Sequence, residues 1–163
     1  MVSGLVQKME RSALSNSLTV LLVLFITQFF TGMGLNLLVT LPTNKFPSGG
    51  GSISTTFSYI LTGGNVLLTT HFTIDLIIIA IGAVNVALVL HKNNVYKFLS
   101  IVSLISVISA FVNGERFVAS NFAINGISFG MAGAFLLAFI LYFVMAMLMY
   151  RDLAISNPNK TNK

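Results

Sequence analysis

Cysteine and tryptophan are absent from the 163 residues, and only four positions are acidic. Without cysteine there is no disulfide framework and no thiolate metal site. Charged residues make up 8% of the chain, whereas a soluble domain carries about 25%. A chain this poor in charge cannot cover a water-facing surface. These shortages exclude a soluble enzyme, a disordered chain and a disulfide scaffold together. What fills the sequence instead is apolar: 55% of it belongs to the AVILMFWYC set, gathered into four long runs. A helix crosses a bilayer with about 20 apolar residues, so the chain has room for four spans and short loops. Nothing is left for a separate catalytic or sensor domain.

The four runs cover residues 18–41, 67–90, 95–112 and 122–150. They stop at Pro42, at His91-Lys92-Asn93-Asn94, at Asn113-Gly114-Glu115-Arg116 and at Arg151-Asp152. None alternates with the period of two that a barrel strand needs, so each reads as a helix. The sequence therefore predicts an all-α membrane protein, an antiparallel four-helix transmembrane bundle. The loop 42–66 is the one long connection. In it Ile53, Phe57, Ile60 and Leu61 recur at helical spacing between glycine pairs, which predicts a short interfacial helix. Residues 1–17 form an N-terminal segment with amphipathic character, and residues 151–163 a largely disordered tail. Asn159-Lys160-Thr161 matches a glycosylation triplet, but the predicted topology puts it on the cytoplasmic side, where it has no use. The first apolar run is about 24 residues long with no small-x-small site after it, so it reads as a retained span rather than a cleaved signal.

Orientation follows from the basic residues. Lys8, Arg11, Lys92, Lys97, Arg151, Lys160 and Lys163 fall on the side of the termini, and only Lys45 and Arg116 on the other. That asymmetry predicts both termini in the cytoplasm and a multi-pass protein of the cell membrane. Tyr96 and Tyr150 stand at the inner boundary, as interface-seeking aromatics do. The net charge of +5 is accounted for by topology and by contact with the lipid bilayer. No basic stripe is dense enough to argue for nucleic acid.

In so apolar a chain the polar residues inside spans are the informative ones, because each is costly there unless paired or solvated. His71, Asp75, Ile78, Gly82, Asn85 and Val89 lie on one face of the second span. His71 and Asp75 are one turn apart, and Asp75 lies roughly 12 Å below the start of the span. A carboxyl at that depth must be protonated, paired with His71 or Arg116, or turned towards a water-filled crevice. One reading makes His71 and Asp75 a proton-handling or ligand pair at the bottom of an outward-facing pocket. Asn36, Ser109 and Asn125 would line that pocket, with Glu115 and Arg116 in the loop above. The other makes the same residues an interhelical hydrogen-bond network that fixes helix register. Apart from Asn85, the inner half looks almost bare of strong polar groups.

Ser100, Ser103 and Ser106 on the third span, with Gly126, Gly130 and Gly133 on the fourth, read as small-residue packing surface. Gly126 and Gly130 form a GxxxG pair. Phe129, Phe135, Phe139, Phe143, Met145, Met147 and Met149 read as lipid-facing or packing side chains. Several chemistries fail on ligand supply. The two histidines, His71 and His91, stand about 30 Å apart on one helix and cannot ligate one haem iron within a chain. That leaves at most a haem held at His71 with a second ligand from elsewhere. Zinc lacks ligands, and a nucleophilic triad lacks a base with its orienting acid. The expectation is a non-enzymatic accessory or structural subunit of a membrane complex, without cofactor or metal, partnered by other membrane subunits or by a second copy. The main alternative is an ion- or proton-coupled small transporter using Asp75 and His71. A third is a haem- or quinone-binding redox subunit.

Overall fold

The computed structural model describes residues 2–46 and 52–156, and among these every regular element is a helix. In chain order they are α1 (Val2–Leu38), α2 (Ile53–Leu61), α3 (Val66–Val89), α4 (Asn94–Ala119) and α5 (Asn125–Ser156). Four contain stretches long and apolar enough to cross a membrane: Ser12–Leu38, Val66–Val89, Asn94–Ala119 and Asn125–Asp152. This is the architecture of a multi-pass membrane protein.

Polar residues mark where three helices begin. The side chains of Ser52, Asn65 and Asn93 accept the backbone N–H groups of Ser54, Leu68 and Tyr96, which satisfies donors the first turn leaves orphaned. The segment ahead of the first apolar run is continuous with α1, which is a single helix from Val2 onwards. Most of the side chains that bear on its amphipathic character lie outside the described residues, as does the tail from 157 on.

Three boundaries of the last two spans differ from those read off the sequence. The third span does not stop at Asn113-Gly114-Glu115-Arg116; α4 carries through that run to Ala119. The fourth helix begins at Asn125, three residues later than expected, and continues past Arg151 to Ser156. Between them the chain turns tightly. The Ser120 N–H meets the carbonyls of Arg116 and Phe117, and the Phe122 N–H returns to the Phe117 carbonyl at 3.0 Å. Asn121 (φ 53°) and Phe122 (φ 61°) both adopt left-handed backbone. That conformation costs a non-glycine residue about 1–2 kcal/mol. The Phe122 ring offsets part of the cost by packing edge-on against Phe117, 5.5 Å away.

The long helices pack in a ring, α1 on α3, α3 on α4, α4 on α5 and α5 on α1, with α4 and α5 in the most extensive contact. Ser17 meets Asn85, whereas Gln28 and Thr31 meet His71, which fixes the register of α1 against α3. The short α2 lies across α4 and α3.

The apolar interior is divided in two. One core, at the end of the bundle where α3 joins α4, gathers Leu14, Leu18, Phe25, Ile78, Val89, Tyr142 and Met145. The other, at the α2 end, gathers Leu35, Leu41, Phe46, Ile60, Leu68, Phe72 and Val118. Aromatic rings tie the second core together, with Phe57 edge-on to Phe72 at 5.1 Å and Phe46 edge-on to Tyr59 at 5.2 Å.

Candidate functional site: an ionisable layer between two apolar cores

Between the two cores lies a layer built by α1, α3 and α4. His71 is held through both ring nitrogens: Gln28 Nε2 is 3.0 Å from Nε2 and Thr31 Oγ1 is 2.9 Å from Nδ1. An amide nitrogen only donates, so Nε2 accepts and Nδ1 carries the proton and donates to Thr31. The Thr31 hydroxyl in turn donates to the Gln28 carbonyl at 3.1 Å. Every donor in this circuit is used, and it describes a neutral imidazole. The ring points its Cε1 edge at α1, where a Cβ on Gly32 would stand 3.0 Å away. A side chain at 32 would force the ring to shift.

Asp75 stands one turn along α3, its Oδ2 3.8 Å from His71 Nε2. That is a contact and not a hydrogen bond, because the nitrogen lone pair is already engaged by Gln28. The Gln28 amide also stands close enough to the Asp75 carboxyl to act on it, so one amide bears on both residues. The side chains of His71 and Asp75 keep 18% and 19% exposure.

The third ionisable member corrects the sequence reading. Glu115 was expected in a loop above the bundle; it is instead on α4, only 5% exposed, with Oε2 lacking any hydrogen-bond partner. It lies near enough to Asp75 for the two carboxyl groups to interact electrostatically. The Asn113-Gly114-Glu115-Arg116 run looked like a break because all four residues are polar or flexible. A helix separates neighbours by about 100°, so Glu115 turns inward while Arg116 stays exposed. The buried carboxyl groups are therefore two, not one.

Several predicted members do not belong. Asn36, Ser109, Asn125 and Arg116 are exposed, and the lining of an outward-facing pocket is not formed by them. Among the described residues the one ion pair between permanently charged side chains is Arg151–Asp152, so Arg116 does not neutralise Asp75. Above the layer stands the second apolar core rather than an open cleft. The residues that the sequence reading missed as partners are Gln28 and Thr31. They are three apart and thus share a face of α1, a signal that becomes useful only once the register against His71 is known.

The other half of the bundle is also less bare than expected. Asn85, Ser100, Ser103 and Tyr142 are all fully buried. Asn85 Oδ1 accepts the Ser17 hydroxyl, and Ser103 donates to the Leu99 carbonyl at 2.6 Å. The serines spaced by three rotate about 60° per step around α4, which is why Ser100, Ser103 and Ser106 are buried and Ser109 is not.

The glycines of α5 that read as packing surface, within one chain or between chains, are Gly126, Gly130 and Gly133. All three are exposed, and a Cβ at Gly126 or Gly133 would meet nothing within 4 Å. They form one face with Leu137 and Ile140, while Phe129, Phe143 and Met147 project beside it. Phe135 and Phe139 instead pack on Phe25, and Met145 and Met149 are buried.

Chemically, the layer offers a neutral imidazole, two carboxyl groups and an amide that bears on two of them. His71, Asp75 and Glu115 do not gather tightly enough to share a metal ion; among the described residues no three such side chains do. For His71 to bind an iron, Gln28 or Thr31 would have to give up its bond. No family model, no curated protein and no solved structure matches the chain.

Proposed function

We propose that the protein is a proton-coupled small membrane transporter, or the proton-conducting part of one, with Asp75 and Glu115 as the groups that take up and release the proton. One observation carries this reading: Asp75 of α3 and the buried, unpartnered Glu115 of α4 stand in one layer between two apolar cores. Buried carboxyl groups inside a membrane are retained at a cost, and proton relays are among the functions that use them. A purely structural network would be served as well by Asn and Gln, which make the same hydrogen bonds without ionising. His71 is then a neutral neighbour of Asp75, itself fixed by Gln28 and Thr31.

The topology that goes with this reading is an antiparallel bundle of α1, α3, α4 and α5 with both termini in the cytoplasm. Its support is the pairing of Ser17 with Asn85 and of Gln28 with His71, together with the basic residues of the sequence. In that frame α2 lies at the outer surface of the membrane.

The test is proton uptake by liposomes containing the purified protein, driven by a potassium diffusion potential and read by an entrapped pH dye. Wild-type protein is expected to acidify the lumen faster than protein-free liposomes. Asp75→Asn should abolish that difference and Glu115→Gln should lower it at least tenfold. Uptake equal to that of empty liposomes in the wild type overturns the reading.

A second reading, that the protein is an accessory subunit, is favoured by a separate observation. The glycine face of α5 is unused within the chain, and small residues in a membrane helix are where another helix can approach closely. The two readings are compatible, since a proton-conducting subunit can sit in a larger assembly.

A further inference from the structure

Besides the ionisable layer, the bundle holds a second set of polar atoms that the proposed function does not use. Asn85 Nδ2, Ser100 Oγ and Tyr142 Oη belong to three different helices, are fully buried, and have no hydrogen-bond partner among the described residues. Their position along the helices is set by Gly82. A Cβ there would stand 2.7 Å from Tyr142 Oη and 3.1 Å from Leu104 Cδ1, so the hydroxyl of α5 rests directly on the backbone of α3. Asn85 lies three residues along α3 from Gly82, and Ser100 lies four residues along α4 from Leu104, on the matching faces. One helical turn, about 5 Å, therefore contains all three orphaned groups.

Three unsatisfied polar groups in one turn of a dry interior would be an expensive coincidence. Water is the ligand that fits: each of the three atoms can donate a hydrogen bond, and a buried water takes two to four such partners. The set also has an outlet. Asn85 Oδ1 accepts the hydroxyl of Ser17, which is only partly buried on α1. Towards the ionisable layer, Ile78 and Gly82 are the residues of the same α3 face that lie between Asp75 and Asn85. Ile78 is 1% exposed and belongs to the apolar core.

We propose that Asn85, Ser100 and Tyr142 enclose ordered water and form the second half of a proton route, which runs from Asp75 past Ile78 to this water and out by Ser17. The water site stands on its own; the route rests on the proton-coupled reading. Ile78 is the dry step between the two halves. Protons reach Ser17 from Asp75 only when that step is wetted, which keeps the layer from leaking continuously.

Two measurements on the purified full-length protein test this separately. The first is the thermal midpoint of Tyr142→Phe and of Ser100→Ala. If the hydroxyls bind water, both substitutions lower the midpoint; if the hydroxyls are dry orphans, both raise it, which overturns the water site. The second is proton uptake in liposomes. The double variant Ser100→Ala/Tyr142→Phe should cut the rate at least tenfold and Ile78→Ala should raise it severalfold. Asn85→Ala serves as a second route to the same loss if the double variant does not fold. Unchanged uptake in these folded variants, with Asp75→Asn inactive, overturns the route and leaves the proton-coupled reading standing. No uptake in the wild type removes that reading and the route with it, and the water site is then decided by the thermal midpoints alone.

Discussion

The Gln28 amide has two N–H bonds; one is spent on His71 and the other is within reach of the Asp75 carboxyl. This makes an uncharged residue the hinge of an ionisable group. Gln28→Ala is expected to lower stability by about 1–2 kcal/mol, read as the shift in a detergent unfolding curve, because two acceptors lose their donor together. Gln28→Glu should be worse than alanine despite its nearly equal size: an ionised carboxyl has no hydrogen to give and adds a third acid beside Asp75 and Glu115. A glutamate variant as stable as the wild type would show that the amide is not the shared donor. Of this layer, His71 and Asp75 were legible in the sequence, because residues four apart share a helix face. Gln28 and Thr31 were visible only as polar residues, since nothing local says which residue of α1 stands opposite His71. Asn36 looked an equally good partner and is exposed.

Among the elements, α5 and α3 make opposite use of glycine. Gly82 on α3 is covered by Tyr142 and Leu104, whereas Gly133 on α5 faces open space. Adding a methyl group should therefore separate them. Gly82→Ala forces the Tyr142 ring to move and is expected to cost about 1–3 kcal/mol. Gly133→Ala should leave the fold unchanged or stabilise it by roughly 0.5–1 kcal/mol, the usual gain in helix propensity. If the α5 face holds a partner helix, Gly133→Leu should remove co-purifying chains in mild detergent without lowering the thermal midpoint. A loss of stability in Gly133→Ala would contradict the outward orientation of this face. The sequence presented the glycines of α5 as packing residues because GxxxG spacing reports that two helices can approach, not which ones. It hid the end of α4 for a related reason. Composition marked Asn113 to Arg116 as a break, but a buried polar residue is invisible until the helix face that carries it is known.

At the scale of the whole molecule, the four apolar runs and the short helix after Pro42 were all legible, because hydrocarbon depth and backbone hydrogen bonding leave few alternatives. Sidedness is open to a direct test, since the chain has no cysteine of its own. Single cysteines introduced at Lys45 and at Lys92 in intact cells should react differently with a membrane-impermeant maleimide. Lys45→Cys is expected to label from outside and Lys92→Cys only after lysis; the reverse pattern would invert the proposed orientation.

The division of the interior into two apolar cores with ionisable groups between them also has an electrical consequence. In a bilayer, the potential falls mainly across the regions of lowest polarisability, which here are the two cores. A charge in the layer of Asp75 and Glu115 would thus sit partway through the membrane field. Moving one elementary charge across the full membrane is worth about 2.3 kcal/mol per 100 mV, so reaching the layer would involve roughly half of that. Its occupancy would then follow voltage as well as pH.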